Sequence, residues 1–142
     1  NNEIYKKLTP LFEDSNFDEK QIIEFIGLYK ERSISLEDIN KDLSNLIEYD
    51  YSFEDNEKKI LTKFEQYKNL FIEKLSNLNK WDDESIAQFF KDFIDLHNLS
   101  FKSIAQPIRL LLSGKLTGPS IYRIICVLGK TECLKRITQN FE

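Results

Sequence analysis

Apolar residues recur along this chain every three or four positions, the period of an α-helix. Asp18 followed by Gln21 reads as a capping-box start, after which Ile22, Ile26 and Tyr29 share one face. Ser35 is placed to cap a second helix with the stripe Leu36, Ile39, Leu43, Leu46 and Ile47. A long helix is predicted over about 54–79, turning Ile60, Phe64, Tyr67, Phe71 and Leu78 inward. Trp81-Asp82-Asp83 breaks it, and the acids open a helix carrying Ile86, Phe89, Phe90 and Phe93. Ile104, Ile108, Leu111 and Leu112 define another over 103–112. Ile121, Ile124, Ile125 and Leu128 define the next, stopped by Gly129. Patterns at 3–16, interrupted by Pro10, and at 130–141 are less regular. No stretch alternates as a strand does, so the expected fold class is all-α.

Helix punctuation changes after Trp81. Gly114, Gly118, Gly129, Pro107 and Pro119 all lie beyond residue 100. Gly114 suits the left-handed residue after a helix, and Pro119 suits the first turn of the next. This shift predicts two small helical subdomains, residues 1–80 and 81–142. With 142 residues, 41% of them hydrophobic, the chain can build a core without a metal or disulfides. No apolar run approaches the ~20 residues of a membrane helix, so no membrane contact is expected. The absence of methionine and the Asn1-Asn2 start lead to the expectation of a piece of a longer chain.

The net charge of -4 conceals an asymmetry. Residues 1–98 hold thirteen basic and twenty-two acidic side chains. Residues 99–142 hold seven basic ones (Lys102, Arg109, Lys115, Arg123, Lys130, Lys135 and Arg136) against Glu132 and Glu142. A polyanion responds to the local field, so the basic segment is a candidate contact surface. An ordinary solvated face accounts for the charge equally well.

Catalytic and metal motifs are incomplete. Gly129-Lys130-Thr131 resembles the end of a phosphate-binding loop, but Ile124 stands where its first glycine is required. Lys74-Leu75-Ser76 falls in mid-helix, and His97, the sole histidine, can complete no histidine-pair signature. His97 shares a face with Phe90 and Phe93 and reads as a packed residue. Asn98-Leu99-Ser100 fits a glycosylation sequon without a secretory signal to give it meaning. Cys126 and Cys133 read as reduced thiols in or near the core, and with one histidine they fall short of a structural zinc site. No catalytic residue, metal or cofactor is assigned to this chain.

On a helical wheel Gln106 and Arg109 point together, away from the Ile104/Ile108 stripe and next to the glycine-rich loop 113–119. Their donors and acceptors could read base edges or hold phosphates. Ser103 and Gln106 could equally form a capping box, with Arg109 solvated. A rival to RNA binding is a helical protein–protein interaction module, with Leu110 and Tyr122 as exposed anchors.

A set of ordered motifs favours the first reading. Phe89-Phe90-Lys91-Asp92-Phe93, Phe101-Lys102-Ser103-Ile104-Ala105-Gln106-Pro107-Ile108-Arg109, Leu112-Ser113-Gly114-Lys115, Pro119 and Val127-Leu128-Gly129-Lys130 follow one another. Together they closely resemble the C-terminal anticodon-binding domain of bacterial-type glutamyl-tRNA synthetases. Lys30-Glu31-Arg32-Ser33-Ile34-Ser35-Leu36 resembles an upstream segment of the same family. The resemblance implies an all-helical cage of two subdomains gripping the anticodon loop of tRNA(Glu), with tRNA(Gln) as a second candidate. The ATP- and Mg2+-dependent catalytic domain would belong to the same parent glutamate–tRNA ligase, a cytoplasmic monomer. By position, Arg32 matches an arginine contacting the third anticodon base, a cytosine whose O2 and N3 suit a guanidinium fork. Lys91, Gln106 and Arg109 match residues that contact anticodon nucleotides or their backbone. Pro119 and Ile121 match the loop-to-helix corner against which a base packs. Two departures stand out: Gly118 replaces a hydroxyl residue, and Lys91 replaces an arginine fork with a point charge.

Overall fold

Helix ends fall where short polar side chains or glycines can satisfy backbone groups that the helix itself leaves unpaired. The computed structural model describes residues 19–30, 53–116 and 119–138, the side chains of 19, 29 and 30 excepted. Among these residues all regular structure is helical: α1 (Glu19–Lys30), α2 (Asp55–Ser76), α3 (Asp83–His97), α4 (Phe101–Ser113), α5 (Ile121–Leu128) and α6 (Lys130–Thr138). The patterns predicted at 3–16 and behind Ser35 lie outside the described residues.

α2 opens on a reciprocal box in which the Glu54 amide donates to Glu57 Oε1 at 2.9 Å. It ends at Ser76, short of the predicted 79, with Asn77 as its cap. Asp82 caps α3 by accepting the Ser85 amide at 2.7 Å, and that hydrogen bond holds its carboxyl below the ordinary range. Asn98, at φ 55°, closes the helix in the left-handed region.

α4 begins earlier than the wheel implied. Ser100, not Ser103, is its cap, accepting the Ser103 amide at 3.2 Å, so the proposed Ser103/Gln106 box does not start the helix. Pro107 sits inside α4, where it has no N–H to offer the Ser103 carbonyl. Gly114 ends α4 at φ 77°, its amide donating to the Leu110 carbonyl at 2.9 Å. α5 starts at Ile121 behind Ser120, so Pro119 lies just outside the helix rather than in its first turn. Gly129, at φ 85°, both stops α5 and accepts the Cys133 amide that starts α6.

The core gathers around Phe71. Its ring meets Phe64, Phe89, Phe90 and Phe93 edge-on, with centroids 5.7, 5.2, 5.7 and 5.3 Å away. Such pairs add roughly 0.5–1.5 kcal/mol each beyond area burial. α2 packs on α4 and α6, while α5 packs on α1, α3 and α6. α1 contributes Ile22 and Ile26, as its stripe predicted, and Phe25 besides. Gln21 Nε2 ties α1 to the Val127 carbonyl at 2.9 Å, and Trp81 Nε1 reaches the Ile125 carbonyl at the same distance.

α4 has neighbours on several sides, and its burial wraps around it. Leu110 is fully buried beside Leu111 and Leu112, so it is not the exposed anchor that the protein-interaction reading required. Arg136 of α6 is 1% exposed, pairs with Glu132 at 3.2 Å, and donates from Nη1 to the Leu112 carbonyl at 2.6 Å. It thereby occupies one of the carbonyls that the end of α4 leaves open. Arg136→Met leaves the Leu112 carbonyl unpaired and removes the partner of Glu132, itself 22% exposed, and should lower stability by about 1–3 kcal/mol. Urea denaturation checks this; a midpoint unchanged from the parent chain would show that the bond carries no weight.

Candidate nucleic-acid interface

Lys102, Gln106 and Arg109 lie at positions i, i+4 and i+7 of α4, one stripe along its solvent side. Lys102 is exposed, whereas Gln106 and Arg109 are half-buried. Gln106 makes no side-chain hydrogen bond among the described residues. Arg109 Nη1 donates to the Pro119 carbonyl at 2.8 Å, and Ser113 Oγ donates to the Arg109 carbonyl at 2.9 Å. The guanidinium therefore clasps the far end of the loop that Gly114 begins. Charged donors to carbonyls contribute about 1.5–3 kcal/mol when shielded from water. The loop residues 117 and 118, with the Gly118 departure, lie outside the described residues.

The structure joins Arg109 to the Pro119 corner directly. Pro119 is buried and Ile121 is 2% exposed, so both side chains face inward there. Lys91 projects into solvent from α3, and no hydrogen bond links it to Gln106 or Arg109. Arg32 lies outside the described residues.

Arg136 and Arg123, both in the basic segment, are neutralised locally. Arg136 is buried against Glu132, and Arg123 Nη1 reaches both Asp83 oxygens at 3.2 Å. Lys130 Nζ donates to the Leu78 carbonyl at 3.3 Å. The Arg123–Asp83 pair spans forty residues of sequence, and no local pattern announces it.

Among the described residues, other candidate chemistry is absent or shielded. Among the described residues no group of histidine, cysteine and acidic side chains could hold a metal ion. His97 packs against Phe93 and Tyr67, with ring centroids 4.5 and 5.6 Å away, and its Nε2 is buried without a partner. Cys126 and Cys133 are free thiols. Burial, and then a hydrogen bond to Asp83, push Cys126 up to about 12, and burial raises Cys133 further. No described helix is long and apolar enough to cross a membrane.

These features define an all-helical domain whose polar stripe on α4 leads to the Pro119 corner. A family model described as an anticodon binding domain matches residues 3–141, and the chain belongs to that family. It is 36% identical over 130 residues to glutamate–tRNA ligase 1 of Aliarcobacter butzleri, covering 88% of this chain and 27% of that protein. Against the glutamate–tRNA ligase of Pelagibacter ubique it is 32% identical over 109 residues, 76% of this chain and 23% of the relative. The chain thus spans about a quarter of the length of these relatives. A crystal structure of a glutamate tRNA ligase from Elizabethkingia meningosepticum, in complex with its amino acid, shares the fold. The TM-score is 0.81 at 23% identity, over 96% of this chain and 28% of that one.

Both thiols should stay protonated at pH 8, because the thiolate is the form that burial disfavours. Iodoacetamide labelling of the native chain is expected to be slow and to accelerate sharply in denaturant. Rapid native labelling of Cys133, measured by mass spectrometry, would contradict the burial of its sulfur.

Proposed function

We propose that this chain binds the anticodon loop of tRNA, the glutamate tRNA first, as the tRNA-recognition part of a glutamate–tRNA ligase. The observation that carries this reading is the family match across residues 3–141, together with glutamate–tRNA ligases among its relatives. Attachment of glutamate, with ATP and Mg2+, would be the work of the part of those enzymes that has no counterpart here. The parent would act as a cytoplasmic monomer, with residues 1–80 and 81–142 as the two halves of its anticodon-binding end.

Each candidate residue has a role suited to its chemistry. Gln106 offers an amide that can donate and accept at once, which matches the mixed edge of a splayed base. Arg109 holds the Pro119 corner through one guanidinium nitrogen, and its charge would attract an adjacent phosphate. Pro119 and Ile121 shape the corner from within, so the base would meet backbone groups held in place by Arg109. Lys91 would supply a diffuse attraction to phosphate, being a hydrated point charge. Arg32, if it engages cytosine O2 and N3, would set the preference between glutamate and glutamine tRNAs.

Binding should be weak and steeply salt-dependent, since phosphate contacts release counterions. Arg109→Ala is expected to cost about 1–3 kcal/mol in tRNA affinity, and anticodon substitutions in the tRNA should mimic it. Filter binding with native and anticodon-swapped glutamate tRNA is the test. Equal affinity for the two RNAs would refute base reading.

A further inference from the structure

A buried guanidinium is a costly way to fill a core, because hydrogen bonds of good geometry must offset its desolvation. Arg136 is nevertheless enclosed almost as fully as Cys133 and Ile137, the apolar residues beside it in α6. Glu132, paired with it at 3.2 Å, is 22% exposed, so water already shares that contact. The inner end of the side chain reaches another helix: Nη1 donates to the Leu112 carbonyl of α4 at 2.6 Å, twenty-four residues away in sequence. An apolar side chain could fill the same volume. The planar fork of arginine is suited to hold an acid on its own helix and a carbonyl on a second one together.

The carbonyl it holds belongs to the last turn of α4. Three carbonyls there have donors in view: Ser113 Oγ on Arg109, the Gly114 amide on Leu110, and Arg136 Nη1 on Leu112. The first two donors are local, whereas Arg136 ties the turn to α6. Arg109 begins the same turn, and its own Nη1 reaches the Pro119 carbonyl at 2.8 Å. Two guanidinium-to-carbonyl bonds therefore run in series, from α6 to the end of α4 and from there to the corner that precedes α5.

We propose that Arg136 is a positioning residue for RNA binding: without touching the RNA, it fixes the last turn of α4 and, through that turn, the Arg109–Pro119 corner. Its burial keeps it from meeting a phosphate itself. A recognition surface needs its groups held to within about 0.5 Å, and bonds behind the contacting side chains provide that precision. The role rests on the RNA-binding reading above and adds a residue that reading does not contain.

The test is a double-mutant cycle between Arg136→Met and Arg109→Ala, read as affinity of the chain for an RNA hairpin carrying the glutamate-tRNA anticodon arm. Positioning predicts that Arg136→Met weakens the parent chain about tenfold but the Arg109→Ala chain by less than about twofold, since the corner is already released there. Ile26→Val, a core change on α1, removes stability elsewhere and should bind within about twofold of the parent. Urea midpoints establish that each variant is folded under the binding conditions. Arg136→Lys keeps the charge but not the fork, and takes the place of Arg136→Met in the cycle if the latter does not fold, with the same non-additive loss expected. Parent affinity in the folded Arg136 variant, an equal loss in both backgrounds, or a matching loss in Ile26→Val overturns the positioning role. Hairpins with native and swapped anticodons separate that outcome from failure of the RNA reading. A parent chain that prefers neither hairpin overturns that reading, and the positioning role with it.

Discussion

Edge-to-face contact around Phe71 is the constraint on which the rest of the molecule hangs. Four phenylalanine rings meet one buried ring, and three of them come from a single helix, α3. Their quadrupoles favour edge-on over stacked approach, so the orientation of α3 against α2 is specified as well as its distance. Phe90, one of those rings, also touches Phe101 and Tyr122. The buried cluster thus reaches, through one side chain, the exposed Phe101 ring at the start of α4. Packing at the centre sets where α4 and α5 begin, and so where their polar residues emerge.

The second organising feature is the way α4 is held at its end. Its last turn faces Arg136 from α6, and its own Arg109 reaches across to Pro119. Between these two guanidinium bonds lies the loop that leads to α5. Gly114 makes the turn possible at its start, in a region of backbone space that other residues enter only with strain.

Much of this was legible in the residues alone, and the failures have specific physical origins. The periodic stripes located the helices because each buries one face, and Asp82, Gly114 and Gly129 marked ends by capping chemistry that acts over a few residues. Leu110 was misplaced because the wheel assumes a single contact face, whereas α4 touches α2, α3 and α6. The start of α4 moved from Ser103 to Ser100, and that of α5 from Pro119 to Ile121, because several neighbouring side chains could cap, and tertiary contacts choose among them. The candidate stripe of Gln106 and Arg109 could be seen; the clasp from Arg109 to Pro119 could not, since its acceptor is a main-chain atom. Arg136 looked like part of a basic surface and proved to be an internal strut. Charge counting is blind to burial.

One pattern in the long-range hydrogen bonds carries a consequence for how this fold can change. Gln21, Trp81, Arg109, Lys130 and Arg136 all donate to main-chain carbonyls, those of Val127, Ile125, Pro119, Leu78 and Leu112. A carbonyl is present whatever residue carries it. Each tie therefore demands a particular side chain at one end only, and the other end is free to drift so long as its backbone stays in place. Paired side chains must change together or not at all; these ties impose half that burden. Such asymmetry is one physical route by which a helical arrangement can persist while most of its residues are replaced.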